Sequence, residues 1–366
     1  AVALMLMVLD DDEIEHPPVE CVFTTEEEVG LNGAKALDKS VLKARTMINM
    51  DSEDEGVATV SCAGGLRVQF TKEIQRTTVQ GSLLTLKVEG LLGGHSGQDI
   101  DKERQNADLL MARMIQRLLK ETKGQLVSFN GGTKDNAIPR ECEASLIYES
   151  DEEAAKAEEL ACELAETYAE ELTPAEPDFS CEISCETNRT AEAIPQDAAK
   201  EFICAMRLAP NGIQKRNIKM DGFVVVSLNL GVVRTEEDRI VMIFSPRSSV
   251  ASLQEDTKER LNTLAETFGF TVSHSSEYPG WSFKEDSPVR EICKESYKEL
   301  FGEDLKIEAI HAGLECGLFS DAIKGLDAIA IGPTIANCHT PDEYLTLDSF
   351  ERFYEFLKDI LSRLAK

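Results

Sequence analysis

The sequence predicts an α/β protein whose first domain is interrupted by an inserted α+β domain. Three observations lead there. The chain has 366 residues, more than one ordinary hydrophobic core serves. Both ends alternate β-branched strand patterns with helical stretches, as in a sheet flanked by helices. The middle has another texture, with many alternating strands and four helices, the first of them amphipathic. The expected division is 1–65 and 279–366 for the first domain and 66–278 for the insertion.

In the first section, residues 1–9 are apolar but short and lack a basic flank. They read as the tail of a core helix, not a signal peptide. A strand is expected over 19–25, after the turn signal Pro17-Pro18. Gly30 and Gly33 open a short helix over 34–37, and strands follow over 46–50 and 57–62. In the middle, strands are expected over 82–89, 126–130, 143–148, 179–184, 222–233 and 240–245, with a glycine-rich loop at 91–97. Helices are expected over 101–121, where Leu110, Met114, Ile115, Leu118 and Leu119 form one apolar stripe, and over 152–171, 196–207 and 253–268. The last section reads as helix 287–301, strand 305–310, buried strand 326–331 and closing helix 347–364.

Bulk properties exclude several function classes. A formal net charge of −29 opposes binding to nucleic acid, where Lys and Arg must neutralise phosphates, and to anionic lipid. No apolar run reaches membrane-spanning length. Ten cysteines are scattered without a CxxC pair, several inside apolar runs. That pattern fits reduced thiols in a cytoplasmic protein, not a disulfide framework. Cys316 and Cys338 read as small packing groups, because no partner for thiol catalysis accompanies them.

Three groups could carry chemistry. Glu26-Glu27-Glu28 follows the first expected strand, Asp51 the second, and His339 lies in the loop after strand 326–331. Alone, the acidic run is a solvated loop, Asp51 a turn residue and His339 a surface histidine. Together they stand beyond strand carboxyl ends, where open α/β sheets bind ligands. Glu, Asp and His are also a donor set suited to Zn2+ or Mn2+.

The motifs around them are more specific. Glu27-Glu28-Val29-Gly30, Asn49-Met50-Asp51-Ser52-Glu53 and Gly332-Pro333-Thr334 with His339 resemble successive motifs of the M20 metallopeptidases. Phe129-Asn130-Gly131-Gly132-Thr133 with Asn136-Ala137-Ile138-Pro139-Arg140, Ser227-Leu228-Asn229-Leu230-Gly231, Tyr278-Pro279-Gly280-Trp281 and His311-Ala312-Gly313-Leu314-Glu315 resemble the aminoacyl-histidine dipeptidase branch, in the same order along the chain.

The resemblance implies a zinc-peptidase-like catalytic domain with an inserted lid and dimerisation domain, hydrolysing Xaa-His and other dipeptides. It implies two Zn2+ ions, with Mn2+ or Co2+ as substitutes. Glu27 would be the general base, Glu28 and His339 ligands of one metal, and Asp51 of the other. Gly30 favours this register over one shifted to Glu26. His95, Asn136, Arg247 and Glu315 would bind substrate; His311 reads equally as a pocket residue or a satisfied core histidine. A cytoplasmic homodimer acting on small peptides is expected. The His-x-Asp and Ala-Asp-Asn-Gly motifs that complete the implied zinc ligands do not occur here. The chain is therefore expected to be an N-terminally truncated form, inactive alone. Two alternatives stay open: an M20 deacylase of N-acyl amino acids, and a non-catalytic dimerisation or binding remnant.

Overall fold

The computed structural model describes residues 1–27, 30–218, 222–338 and 340–366. The chain divides into two compact units. One comprises Ala1–Gly64, Ser249–Ala251 and Tyr278–Lys366; the other comprises Gly65–Ser248 and Ser252–Glu277.

The first unit is built on a mixed sheet in the order Thr46–Asn49, Asp327–Ala330, Val57–Cys62, Lys306–Ile310. The outer pairs run parallel, while Ala330 meets Thr59 antiparallel at the centre. Its helices carry legible signals. In Pro288–Phe301, the Ser287 side chain accepts from Arg290 N, proline stands at the start and Gly302 ends the helix at φ 76°. Those are the N-cap and left-handed C-terminal devices that satisfy helix-end groups. In Leu347–Leu364, Phe353, Phe356, Leu357, Ile360 and Leu361 recur at helical spacing and are buried. Phe356 and Tyr297 stack edge to face at 5.3 Å. Burying each such ring stabilises by about 1.5–3 kcal/mol.

The second unit is a larger sheet. Its order is Thr271–Tyr278, Gly64–Glu73, Arg239–Ser248, Val224–Thr235, Gln125–Gly131, Cys142–Tyr148, Thr77–Glu89, Ser180–Ala193, and Gly212–Arg216 also pairs with Val224–Thr235. Helices Ala107–Glu121, Asp151–Leu172 and Gln196–Leu208 share its core, which holds Phe129, Tyr148, Phe202 and Met114. Phe129 meets Phe202 edge to face at 5.4 Å.

Two expectations need correction. Residues 19–25 form no strand. The Glu20 carboxylate instead accepts from the backbone amides of Lys43 and Ala44 (3.0 and 2.9 Å). The segment is tied to residues 43–44 through that side chain and joins no ladder. The helix expected from residue 101 begins at Ala107, after a short 3-10 turn at Ile100–Lys102. The Asn106 side chain caps it by accepting from Asp108 N and Leu109 N, which fixes the start later than periodicity alone suggests.

Candidate active site

In the first unit, Glu27, Asp51 and Glu315 line one cleft of about 570 Å3, whose walls include Met47, Ile48, Phe319 and Leu357. This is the size and lining of a small-molecule site, apolar with a few polar groups. Each carboxylate reaches the cleft by a different local device.

Glu27 sits on a tight loop: Gly30 N and Leu31 N donate to its carbonyl (3.1 and 2.9 Å), and Gly33 N donates to Thr25 O (2.9 Å). A Cβ on Gly33 would lie 2.4 Å from Thr25 N and O, so only glycine permits this approach. Glu26 and Leu31 adopt left-handed backbone at φ 56° and 61°, a costly conformation for non-glycine residues. The Glu26 carboxylate is turned to Asn32 Nδ2 (3.0 Å) and is exposed, whereas Glu27 lines the cleft. Asp51 follows strand Thr46–Asn49, with its amide held by Asn49 Oδ1 (3.0 Å). Glu315 begins helix Glu315–Ala322 and accepts from Thr24 Oγ1 (2.8 Å). Burial pushes the Glu315 carboxyl above its ordinary value and the Asp51 charge adds to this; the Thr24 bond and Lys39 oppose.

Glu28 and His339 lie outside the described residues. Among the described residues no three His, Cys, Asp or Glu side chains form a metal cluster. Three carboxylates line the cleft, oxygen donors of the type divalent cations take, without forming a group that could hold one by themselves.

In the second unit, strand Gly94–His95 pairs with Ala137–Ile138, and Ser96 N donates to Asn136 O (2.9 Å). His95 and Asn136 therefore share one two-stranded ribbon. The buried side chain of Asn229 holds the second strand by donating to Ala137 O (2.8 Å). Arg247, on strand Arg239–Ser248, is buried. Burial and the Arg247 charge both push the His95 imidazole below its ordinary value, against Asp99.

The comparisons with known proteins bear on this arrangement. The sequence profile of Peptidase family M20/M25/M40 matches residues 1–363. The chain belongs to this family. The cytosol non-specific dipeptidase of Escherichia coli (strain K12) is 33% identical over 368 residues, covering 99% of this chain and 75% of the relative. The crystal structure of aminoacylhistidine dipeptidase from Vibrio alginolyticus superposes with a TM-score of 0.94 at 34% identity, over 99% of this chain and 74% of that one.

Membership of the M20 family makes peptides the substrate class and a divalent cation the cofactor. Among the described residues, no helix is long and apolar enough to cross a membrane. Cys316 is fully buried, as a packing group is, and Cys338 is half-buried; burial pushes Cys62 up to about 11 and Cys316 well above the ordinary thiol value. His311 is buried. Sequence reasoning gave no role to Thr24, Asp99, Glu176 or Asn229, which hydrogen-bond to the candidate site residues or to the backbone that carries them. Asn229 stood inside a quoted motif, and Thr24 in the segment just before one. Asp99, four residues beyond His95, had the spacing of a local turn. Glu176 carried no signal, because its contacts span more than 70 residues.

Proposed function

We propose that this chain carries the catalytic base and part of the metal site of a cytoplasmic dipeptidase that cleaves Xaa-His and other dipeptides. The observation that carries this reading is the cleft that Glu27, Asp51 and Glu315 line, in a chain one-third identical to two dipeptidases along nearly all its length. Glu28 and His339 would hold one Zn2+, and Asp51 the other. Bound metal ions supply Lewis acidity and make water a nucleophile at neutral pH. Glu27 takes the water proton on its carboxylate and hands it to the leaving amine. Glu315 receives the substrate's α-amino group. His95 and Asn136 offer donors to its carbonyl oxygens, and Arg247 grips the C-terminal carboxylate. The second unit would act as lid and as the surface of a homodimer.

The implied zinc set needs a His-x-Asp and an Ala-Asp-Asn-Gly motif that this sequence lacks. The chain alone is therefore proposed to bind zinc weakly and hydrolyse nothing. The test assays the purified chain with Zn2+ or Mn2+ on dipeptides and N-acetyl amino acids. It is run alone and with a polypeptide carrying the two missing motifs, and zinc is titrated by calorimetry. Expected are weak zinc binding, no turnover alone, and Xaa-His cleavage in the mixture that Glu27→Gln abolishes. Turnover by the chain alone would refute the incomplete site. Preference for N-acetyl amino acids would make it a deacylase. Neither turnover nor substrate binding in any mixture would make it a non-catalytic module.

A further inference from the structure

The loop that carries His95 is built to hold one imidazole tautomer. His95 Nδ1 accepts from two backbone amides at once, Gly97 N at 3.2 Å and Gln98 N at 3.0 Å. A ring nitrogen that accepts must offer its lone pair, so the proton of the neutral ring stands on Nε2. The same turn is closed through Asp99. Its Oδ2 accepts from His95 N (2.8 Å) and its own amide donates to His95 O (2.9 Å). Its Oδ1 is paired with Lys102 at 2.6 Å, with Arg104 at 3.9 Å. Gly94, at φ 135°, makes room: a Cβ there would lie 2.7 Å from Asp99 Oδ2 and 2.5 Å from Arg104 Nη1.

The loop's two ends are tied to a single carboxylate. Leu92 N donates to Glu176 Oε2 (2.7 Å) and Gln105 N to Glu176 Oε1 (2.9 Å). Glu176 is 1% exposed, so both oxygens of a buried anion are satisfied by main-chain amides 13 residues apart. Arg140 Nε adds a bond to Leu91 O (2.9 Å).

We propose that residues 91–105 form a fixed mount that presents His95 as a neutral Nε2–H donor to an acceptor oxygen of the ligand, with Asp99 and Glu176 as its positioning residues. Donation to a peptide carbonyl or carboxylate rests on the dipeptidase reading; the tautomer and its two supports do not. A second proton on Nδ1 would replace two accepted hydrogen bonds by two opposed N–H groups. The charged groups facing the ring, Arg247 from strand Arg239–Ser248 and Asp99 from the loop, act in opposite senses, and the ring's shift is downward.

Two-dimensional 1H–15N spectra of the imidazoles in the full chain test this without substrate or metal. The His95 signals are assigned by their loss in His95→Gln. Expected are a bare Nδ1 and a protonated Nε2 at pH 7, with a titration midpoint below the ordinary 6.5. In Asp99→Ala and in Glu176→Gln the ring should show shifts averaged between tautomers; the tautomer is the readout in Asp99→Ala, because losing the Asp99 charge by itself lowers the midpoint. Circular dichroism checks that each variant folds, and Asp99→Ala stands if Glu176→Gln does not. A proton on Nδ1 in the wild type, or a wild-type tautomer in folded Asp99→Ala, would overturn the proposal. A failed dipeptide assay leaves this result untouched, and a failed lock leaves the hydrolysis reading untouched.

Discussion

Asp108 should make the second unit lose stability as pH rises, and replacing it by asparagine should remove that loss. The side chain is fully buried in the first turn of Ala107–Glu121, packed against Gly131, where a Cβ would lie 1.6 Å from its Oδ1. Among the described residues neither carboxyl oxygen has a nitrogen- or oxygen-borne donor; the Cys142 thiol lies against it. Burial pushes its pKa up to about 8, against the Cys142 thiol and the Arg234 charge. The folded value exceeds the unfolded one, about 3.9. The native chain therefore keeps a proton that the unfolded chain releases. Its stabilising contribution is complete below pH about 4, falls by about 1.4 kcal/mol per unit up to pH about 8, and is flat above. From pH 5 to pH 7 the wild type should thus lose on the order of 3 kcal/mol relative to Asp108→Asn. For a unit of this size, that is a shift of roughly 6–12 °C in the gap between their melting temperatures. Calorimetry on both proteins at pH 5, 6, 7 and 8.5 measures it. A gap that does not change with pH, or one that favours the wild type as pH rises, would refute the reasoning.

Other predictions concern the cleft. Zinc at a hundredfold excess over its Kd should stabilise the first unit by about 3 kcal/mol in thermal denaturation, and Asp51→Asn should reduce the shift. Thr24→Val should raise the Glu315 midpoint further, because the lost hydrogen bond favours the ionised carboxylate; 13C-detected titration of Glu315 in both proteins reads it. Gly33→Ala should destabilise by about 1–3 kcal/mol in urea unfolding, since its methyl would be forced against Thr25 backbone.

How far the sequence could be read depended on whether a signal was local. The closing helix is legible to its last residue, since one apolar stripe from Phe353 to Leu361 decides it. Helix Pro288–Phe301 is legible because Ser287 and Gly302 mark both ends in the chain itself. Strand Gly64–Glu73 was hidden although Leu66, Val68 and Phe70 alternate inward, because Gly64-Gly65 reads as a turn. Gly64 is small for another reason: a Cβ would lie 2.4 Å from Gly280 N. Strand Thr271–Tyr278 was hidden because it is largely exposed and polar, and its ladder with Gly64–Glu73 is a long-range fact. Residues 19–25 show the converse, since strand-forming residues make no strand without a partner. At the site, motif order pointed to Glu27, Asp51 and Glu315, which the fold gathers in one cleft. The supports, Asp99 and Glu176, act through backbone amides, which no residue pattern advertises.

The outer strand Ser180–Ala193 has consequences for how the protein behaves in concentrated solution. It is 14 residues long, borders the larger sheet and pairs only with Thr77–Glu89 among the described residues. An open edge of that length is a template on which another chain can add. Here Glu182, Glu186 and Glu192 stand exposed along it, so two such edges meeting face to face bring like charges together. That guard is only as good as its ionisation. On acidification the protein's net negative charge shrinks, and the repulsion between such edges shrinks with it. Turbidity should therefore rise on acidification before the circular dichroism signal is lost, with clumping preceding unfolding.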